Sequence, residues 1–288
     1  VRSKGIKRGV IVDESLVLER LKLALDDISS RINIPIKKAV ITIPAYNAEC
    51  TLVHGNVPIV NEEKMVTEKD ILRVQNSVVN DILPNMELVS VTPIDFTIYE
   101  NGSEIETLKD PKNKICDRLG IRAMMVCVPK TSVVSFAKVV EKSGVEVVDL
   151  VLSPIADFEE VKTEELESGM TAIINIGKTI TTVSMFNKGI ITNTSVLKIG
   201  SKIIDDDISY IYYTTKKAAR KAKENFGIAH PRYANKNETY EVRDVNGKLV
   251  RINQYELSKV INKRLVEILN VAKNELKVLT NKQIRYIM

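Results

Sequence analysis

The chain has 288 residues, which is enough for two medium-sized domains with buried cores. Apolar residues make up 44% and charged residues 27%, an ordinary globular balance, and the net charge of +5 is too small to indicate a nucleic-acid partner. Its three cysteines lack metal-ligand spacing and predict reduced thiols in a cytosolic protein, and no run approaches the length of a membrane span.

Strand-like and helical patterns alternate along the first part of the chain. Asp13 is placed to cap a helix over residues 15–31, where apolar residues recur at helical spacing. Residues 39–44 form an apolar run that is typical of a strand in a sheet covered on both faces. Further elements are predicted as strands over 51–60, 86–99, 122–128 and 145–152, a turn at Asn101-Gly102, and helices over Thr67–Asn80, capped by Thr67 and Asp70, and 131–143. This alternation predicts an α/β sheet.

The stretch 171–209 joins a strand, a polar glycine turn and a β-hairpin to the start of a helix. The hairpin turns at Asn187-Lys188-Gly189, and Gly200-Ser201 leads into an acidic helix start. This order of elements resembles the phosphate-holding region of actin-like ATPases, where glycine lets backbone amides approach the phosphate.

That family's second phosphate motif is D-x-G-G-G-T-T-D, followed by G-G-x-x-I-T-x-D. The chain keeps the spacing but has N-I-G-K-T-I-T-T and then G-S-K-I-I-D-D-D, so both acids of the first element and two of its three glycines are replaced. The candidate cofactor-binding residues from these two elements are Asn175, Gly177, Lys178, Thr179, Thr181, Gly200 and Ser201. An amide oxygen at Asn175 holds Mg²⁺ less well than a carboxylate, whereas Lys178 offers phosphate a point charge. A hairpin that binds nothing is the alternative.

The remaining third is mostly helical. A helix is predicted over 204–223, ending near Gly227, then a hairpin that turns at Asn246-Gly247, then a long helix over 255–279 with one apolar stripe. The three acids at 205–207 favour a helix N-terminus over a metal site, because consecutive helical residues do not face one point.

Several blocks of the chain together resemble FtsA, the family of bacterial actin-like cell-division proteins. They are SKGIKRGVIVD, IPAYN, VTEKDILRV, VTPIDFTIYENG and LKDPKNKICDRLGIR. The resemblance implies an α/β actin-like (ribonuclease H-like) fold of two lobes with an inserted 1C (SHS2) subdomain. The implied domains are residues 1–44 and 123–167 for the first lobe, 45–122 for the inserted subdomain, and 168–288 for the second lobe, with a small 2B-like subdomain at about 224–270.

The resemblance also implies two kinds of site. Lys223 matches the lysine of the family's ribose-contacting helix, A-E-x-I-K, but Arg220 replaces its acid, so ATP with Mg²⁺ is expected to bind weakly or not at all. The segment NKRLVEIL matches x-x-R-x-x-E-[IL]-[LF], which implies that Lys263, Arg264 and Glu267 receive the C-terminal tail of FtsZ. The alternative for these residues is a set of exposed helix charges.

The function implied by the resemblance is a division scaffold that acts by protein contacts. It would bind FtsZ, self-associate into filaments and meet later division proteins through the 1C-like subdomain, at the cytoplasmic face of the membrane at the division site. We expect the chain to be a fragment that lacks both ends, including the tail that binds membrane. The alternatives are an ATPase whose polymerisation is gated by ATP, which needs an intact phosphate site, and a pilus assembly adaptor of the PilM type.

Overall fold

The structure is a computed structural model that describes residues 1–79 and 82–288. In chain order its elements are β1 (Ile6–Lys7), β2 (Val10–Ile11), α1 (Glu14–Ile32), β3 (Lys38–Ile43), β4 (Glu49–Pro58), α2 (Glu68–Ser77), β5 (Met86–Glu100), β6 (Ser103–Leu108), β7 (Arg118–Pro129), α3 (Lys130–Lys142), β8 (Glu146–Leu152), α4 (Ser153–Val161), α5 (Glu164–Glu167), β9 (Met170–Ile176), β10 (Thr181–Asn187), β11 (Ile190–Leu197), α6 (Lys202–Ile211), α7 (Lys216–Phe226), β12 (Thr239–Arg243), β13 (Leu249–Asn253), α8 (Gln254–Leu279) and β14 (Tyr286–Ile287).

The chain divides into two units by its internal contacts. The first unit consists of Val1–Ile173, Ser184–Ser195 and Lys282–Met288, and the second of Ile174–Val183 and Val196–Asn281. The division into two lobes and an inserted subdomain stays a prediction.

In the first unit the short antiparallel pair β1–β2 is followed by the long helix α1. Its predicted cap is confirmed, because the Asp13 carboxylate accepts a hydrogen bond of 3.0 Å from the Leu16 amide. Strand β3 pairs in parallel with β8, and no other described strand joins this pair. Val40 is 57% exposed and Ile43 alone of β3 is buried, so the expectation of a strand covered on both faces is wrong. A two-stranded sheet leaves alternate side chains open to solvent.

The middle of the first unit is an antiparallel sheet with strand order β4-β7-β5-β6 and with α2 on one face. Thr67 and Asp70 form the predicted capping box of α2, and the hairpin turns at Asn101-Gly102 as predicted. Asn80, where the helix was expected to end, lies outside the described residues. The core of this module is a cluster that includes Val57, Val66, Val74, Phe96 and Leu119. The expected domain boundary at 122–123 falls inside β7, which pairs with β5 as far as Pro129.

Strands β9, β10 and β11 form a sheet of order β11-β10-β9-β14, most of which belongs to the first unit. The predicted hairpin turn is confirmed, because Lys188 and Gly189 have the positive φ angles of a tight turn. On this part of the sheet, Phe186 stacks on Phe158 of α4 with ring centroids 4.3 Å apart. Both rings are almost fully buried.

The second unit holds α6, α7, the hairpin β12–β13 and α8. The single helix expected over 204–223 is two helices, because Tyr213 has a φ of +47° and Thr215 caps a new helix by accepting from the Ala218 amide. The hairpin turns at Asn246-Gly247 as predicted. The apolar stripe of α8 is confirmed by its buried residues, which include Leu257, Ile261, Ile268, Ala272 and Leu276.

Candidate functional site

The turn after β9 packs closely against the start of α6 within the second unit. The Gly177 amide donates to the Ile180 carbonyl at 2.9 Å, which closes the turn. A Cβ on Gly200 would lie 2.7 Å from both the Gly177 carbonyl oxygen and the Lys178 carbonyl carbon. The two predicted phosphate elements are therefore in direct contact, and only glycine fits at position 200 without moving the turn.

The amides at the start of α6 already have acceptors inside the protein. Ser201 donates to the Gly177 carbonyl at 2.9 Å and Lys202 to the Lys178 carbonyl at 2.8 Å. The next amide, of Ile203, donates to the Gly200 carbonyl at 3.1 Å. A helix N-terminus binds phosphate through amides that lack an intrahelical partner, and here the turn and the first helical residues use those donors.

Lys223 of α7 is also engaged. Its ammonium lies 2.6 Å from Asp205 Oδ1 and donates to the Ser201 carbonyl at 3.2 Å. The two side chains of this pair are 16% and 6% exposed, so the pair is largely shielded from water. Arg220, at the position of the family's acid, pairs with Glu224 at 2.6 Å. Lys223 thus joins α7 to the start of α6 through its ion pair and hydrogen bond. Its predicted contact with a nucleotide stays a prediction.

The three consecutive acids of α6 each hold a different group. Asp205 binds Lys223, Asp206 lies between Lys202 and Lys216, and Asp207 binds Arg264 of α8. Hydrogen bonds from the two lysines lower the pKa of Asp206. The prediction of a helix N-terminus is confirmed, because α6 begins at Lys202 and Asp205 lies in its first turn.

A groove of about 330 Å³ lies between α6 and α8 in the second unit. Arg264 is fixed beside it by a two-pronged pair with Asp207, at 2.7 and 2.9 Å, and by Glu267 at 2.6 Å. The hydrogen bond with Asp207 raises the pKa of Arg264. The groove is lined by Asp207, Ile211, Glu256, Lys259, Val260, Lys263, Arg264 and Glu267. Within residues 1–79 and 82–288 the exposed Lys263 ammonium has no hydrogen-bond or ion-pair partner, so this cation is available to a ligand.

The remaining predicted residues differ in accessibility. Asn175 and Lys178 are exposed and Thr179 is partly buried. Thr181 is fully buried, and its hydroxyl donates to the Ile199 carbonyl at 2.9 Å, which ties the strand end to the segment before α6. Its predicted role toward a cofactor is untested.

Sequence reasoning did not identify Ile211 and Asp207 as groove residues. They lie four positions apart on α6, and only the packing of α6 against α8 brings them to the groove. An acidic and an apolar residue four positions apart are common on helices. The sequence therefore gives no distinctive signal for Asp207 and Ile211 as groove residues.

The sequence of this chain is similar to those of known cell-division proteins. The family described as "Cell division protein FtsA" matches residues 172–281. The proteins named "Cell division protein FtsA" from Enterococcus hirae and Bacillus subtilis are 31% and 28% identical to this chain over 96% of its length. The chain spans 62% of the length of each.

Solved structures with the same fold are more distant in sequence. A "PilM-PilN type IV pilus biogenesis complex" aligns with all of this chain and 71% of that one, at a TM-score of 0.56 and 13% identity. The ethanolamine utilization protein EutJ from Carboxydothermus hydrogenoformans aligns with 99% of this chain and 64% of its own, at 0.53 and 12%. These likenesses confirm the expected actin-like α/β fold.

Proposed function

The chain is 30–31% identical to FtsA cell-division proteins over 96% of its length, and from that premise we propose that it belongs to their family and is a division scaffold whose α6–α8 groove holds the C-terminal tail of FtsZ. The observation that carries this proposal is that two apolar side chains, Ile211 and Val260, line the same groove as the Lys263 ammonium, which is unpaired among the described residues. Three cations and three carboxylates line the groove, and two of the cations are paired there, Lys259 with Glu256 at 2.9 Å and Arg264 with Asp207 at 2.7 Å. A short peptide with acidic and apolar residues fits such a groove.

The charge of the second unit supports an acidic partner. Its residues include 18 Lys and Arg against 10 Asp and Glu, a net charge of +8, although the whole chain carries only +5. Such a field speeds the approach of an acidic peptide, while the apolar contacts in the groove hold it. Arg264 is paired with both Asp207 and Glu267, so the charge of the groove that is available to an acidic peptide is that of Lys263.

The wider scaffold role follows the same premise. We assign the expected inserted 1C subdomain, residues 45–122 with the rest of β7 as far as Pro129, to contacts with later division proteins and with neighbouring copies in a filament, and residues 224–270 to a 2B-like part of the second lobe. The site of action is the cytoplasmic face of the membrane at the division site. No helix in the described part of the chain is long and apolar enough to cross a bilayer. Identities of 28–31% to division proteins favour this role over that of a pilus adaptor.

The nucleotide elements do not fit ATP with Mg²⁺ well. The amides at the start of α6 donate to the turn, Lys223 is paired with Asp205, and Asn175 stands where an acid would hold the metal. We therefore expect this chain to bind ATP with a Kd weaker than about 100 μM, since few charged contacts remain to offset the cost of binding. Titration with labelled ATP and Mg²⁺ measures it. A Kd of 1 μM or tighter would favour the ATP-gated polymerising ATPase instead.

Reversal of the free charge at the groove tests the scaffold proposal. Lys263→Glu is expected to weaken binding of the FtsZ tail peptide about tenfold, because a cation of the groove becomes a repelling anion. The loss should shrink as salt is raised, since the site is exposed. Fluorescence anisotropy with the tail peptide from the same organism measures both effects.

The matched control for this experiment is Lys273→Glu. Lys273 is an exposed lysine of the same helix that does not line the groove, so the same charge reversal there should change affinity less than twofold. If the two variants bind the peptide equally, the groove is not its receptor.

A further inference from the structure

The end of α6 carries an exposed aromatic patch beside the groove. Tyr210 is 80% exposed and Tyr213 is 72% exposed, and between them Ile211 lines the groove. Asp207, Tyr210 and Ile211 are three and four residues apart, so they share one face of α6. Tyr210 therefore lies next to the groove residues Asp207 and Ile211, and Tyr213 follows two residues after Ile211; we call Tyr210 and Tyr213 the tyrosine patch.

Tyr213 has a backbone conformation that its side chain does not favour. Its φ of +47° lies in the left-handed region, which glycine adopts freely and a bulky residue adopts only under constraint. Hydrogen bonds on both sides enforce it: the Val245 amide donates to the Tyr213 carbonyl at 2.9 Å and the Thr214 amide to the Ser209 carbonyl at 3.0 Å. The Thr214 hydroxyl also donates to the Arg243 carbonyl at 2.6 Å.

The folded state gains little from the Tyr213 ring. The bonds that hold this turn are made by backbone groups and by Ser209 and Thr214, and the ring points largely into solvent. Glycine would satisfy the same turn without strain. An exposed aromatic side chain that is kept in a strained position is explained by a contact outside the chain.

We infer that the tyrosine patch extends the groove and receives the apolar side chains of the same acidic tail peptide, one of whose carboxylates pairs with Lys263. The inference rests on the proposed function and adds to it a second subsite with its own chemistry. Tyrosine suits this role because its ring gives a large contact area at a small cost in side-chain entropy. The surplus of positive charge on this unit selects a peptide that carries acids as well as apolar residues.

Tyr213→Gly separates binding from folding. This variant should weaken binding of the tail peptide about fivefold while the midpoint of thermal unfolding stays equal or rises, because the strain at φ +47° is relieved. Tyr210→Ser, on the surface of α6, should weaken binding by a similar factor and does not depend on the turn. The control is Tyr233→Ala, which removes a ring that is 74% exposed in the segment between α7 and β12, away from the end of α6 in the chain, and should leave affinity unchanged.

A second peptide tests whether the tyrosine patch contacts the apolar side chains of the tail. With a tail peptide whose apolar residues are replaced by serine, Tyr213→Gly and Tyr210→Ser should have no effect, while Lys263→Glu should still weaken binding. If both tyrosine variants bind the original peptide with the affinity of the parent chain while Lys263→Glu binds it more weakly, the tyrosine patch is not a subsite. The groove proposal then still stands. If Lys263→Glu also has no effect, both proposals fail. If the tyrosine variants change sedimentation of the chain but not peptide affinity, the patch binds a second copy and the inference is wrong.

Discussion

Asp205→Ala is expected to lower the free energy of unfolding of the second unit by about 3 kcal/mol. Removal of the carboxylate leaves the Lys223 ammonium shielded from water without its counter-charge, and an uncompensated buried charge costs about 3–5 kcal/mol. The Lys223 bond to the Ser201 carbonyl offsets part of that cost. Urea unfolding, followed by the far-UV signal of the helices, measures the change.

The neighbouring acid is the control. Asp206→Ala breaks pairs with Lys202 and Lys216 that are about half exposed, and should cost less than about 1 kcal/mol. A double variant, Asp205→Ala with Lys223→Met, should regain much of the loss because no charge remains buried. If Asp205→Ala and Asp206→Ala lower the free energy of unfolding equally, the Lys223–Asp205 pair is not what holds α7 against α6.

Leu119→Ala is expected to destabilise the module of β4, β5, β7 and α2 by about 3 kcal/mol. Leu119 is fully buried in the cluster shared by this sheet and α2, and loss of three carbons from a core leaves a cavity. If the module folds as a unit of its own, hydrogen exchange should quicken in β4, β5 and β7 while α8 keeps its protection.

An exposed aliphatic residue of the same module is the control for Leu119. Ile115 is 60% exposed, so Ile115→Ala should leave exchange nearly unchanged. If Leu119→Ala also quickens exchange throughout β3 and β8, the module is part of the surrounding core and is not an inserted subdomain.

Local signals in the sequence predicted the local structure well. Asp13 and Thr67 cap their helices, and the turns at Asn101-Gly102 and Asn246-Gly247 join the expected strands. Each of these features depends on residues within four positions of one another. The apolar stripe of α8 was equally visible, because helical periodicity fixes the buried face before any partner is known.

Contacts between residues that are distant in the sequence could not be predicted for the candidate site. The motif alignment located Lys178 and Gly200, but not that the Ser201 and Lys202 amides donate to the turn. Likewise Arg264 was recognised on α8, while its partner Asp207 lies 57 residues earlier and was assigned only to a helix start. The break after Ile211 was missed because Tyr213 gives no sign in the sequence of a left-handed conformation, which bulky residues rarely adopt.

Exchange of the charges across the groove tests the scaffold proposal most directly. Each acidic residue of the FtsZ tail peptide is changed in turn to lysine, and every peptide is titrated against the parent chain and against Lys263→Glu. If the groove is the receptor, at least one such peptide should bind the parent about tenfold more weakly than the original peptide does and should regain most of that loss with Lys263→Glu. If no altered peptide binds Lys263→Glu more tightly than the original peptide does, Lys263 does not face the tail and the scaffold proposal is contradicted.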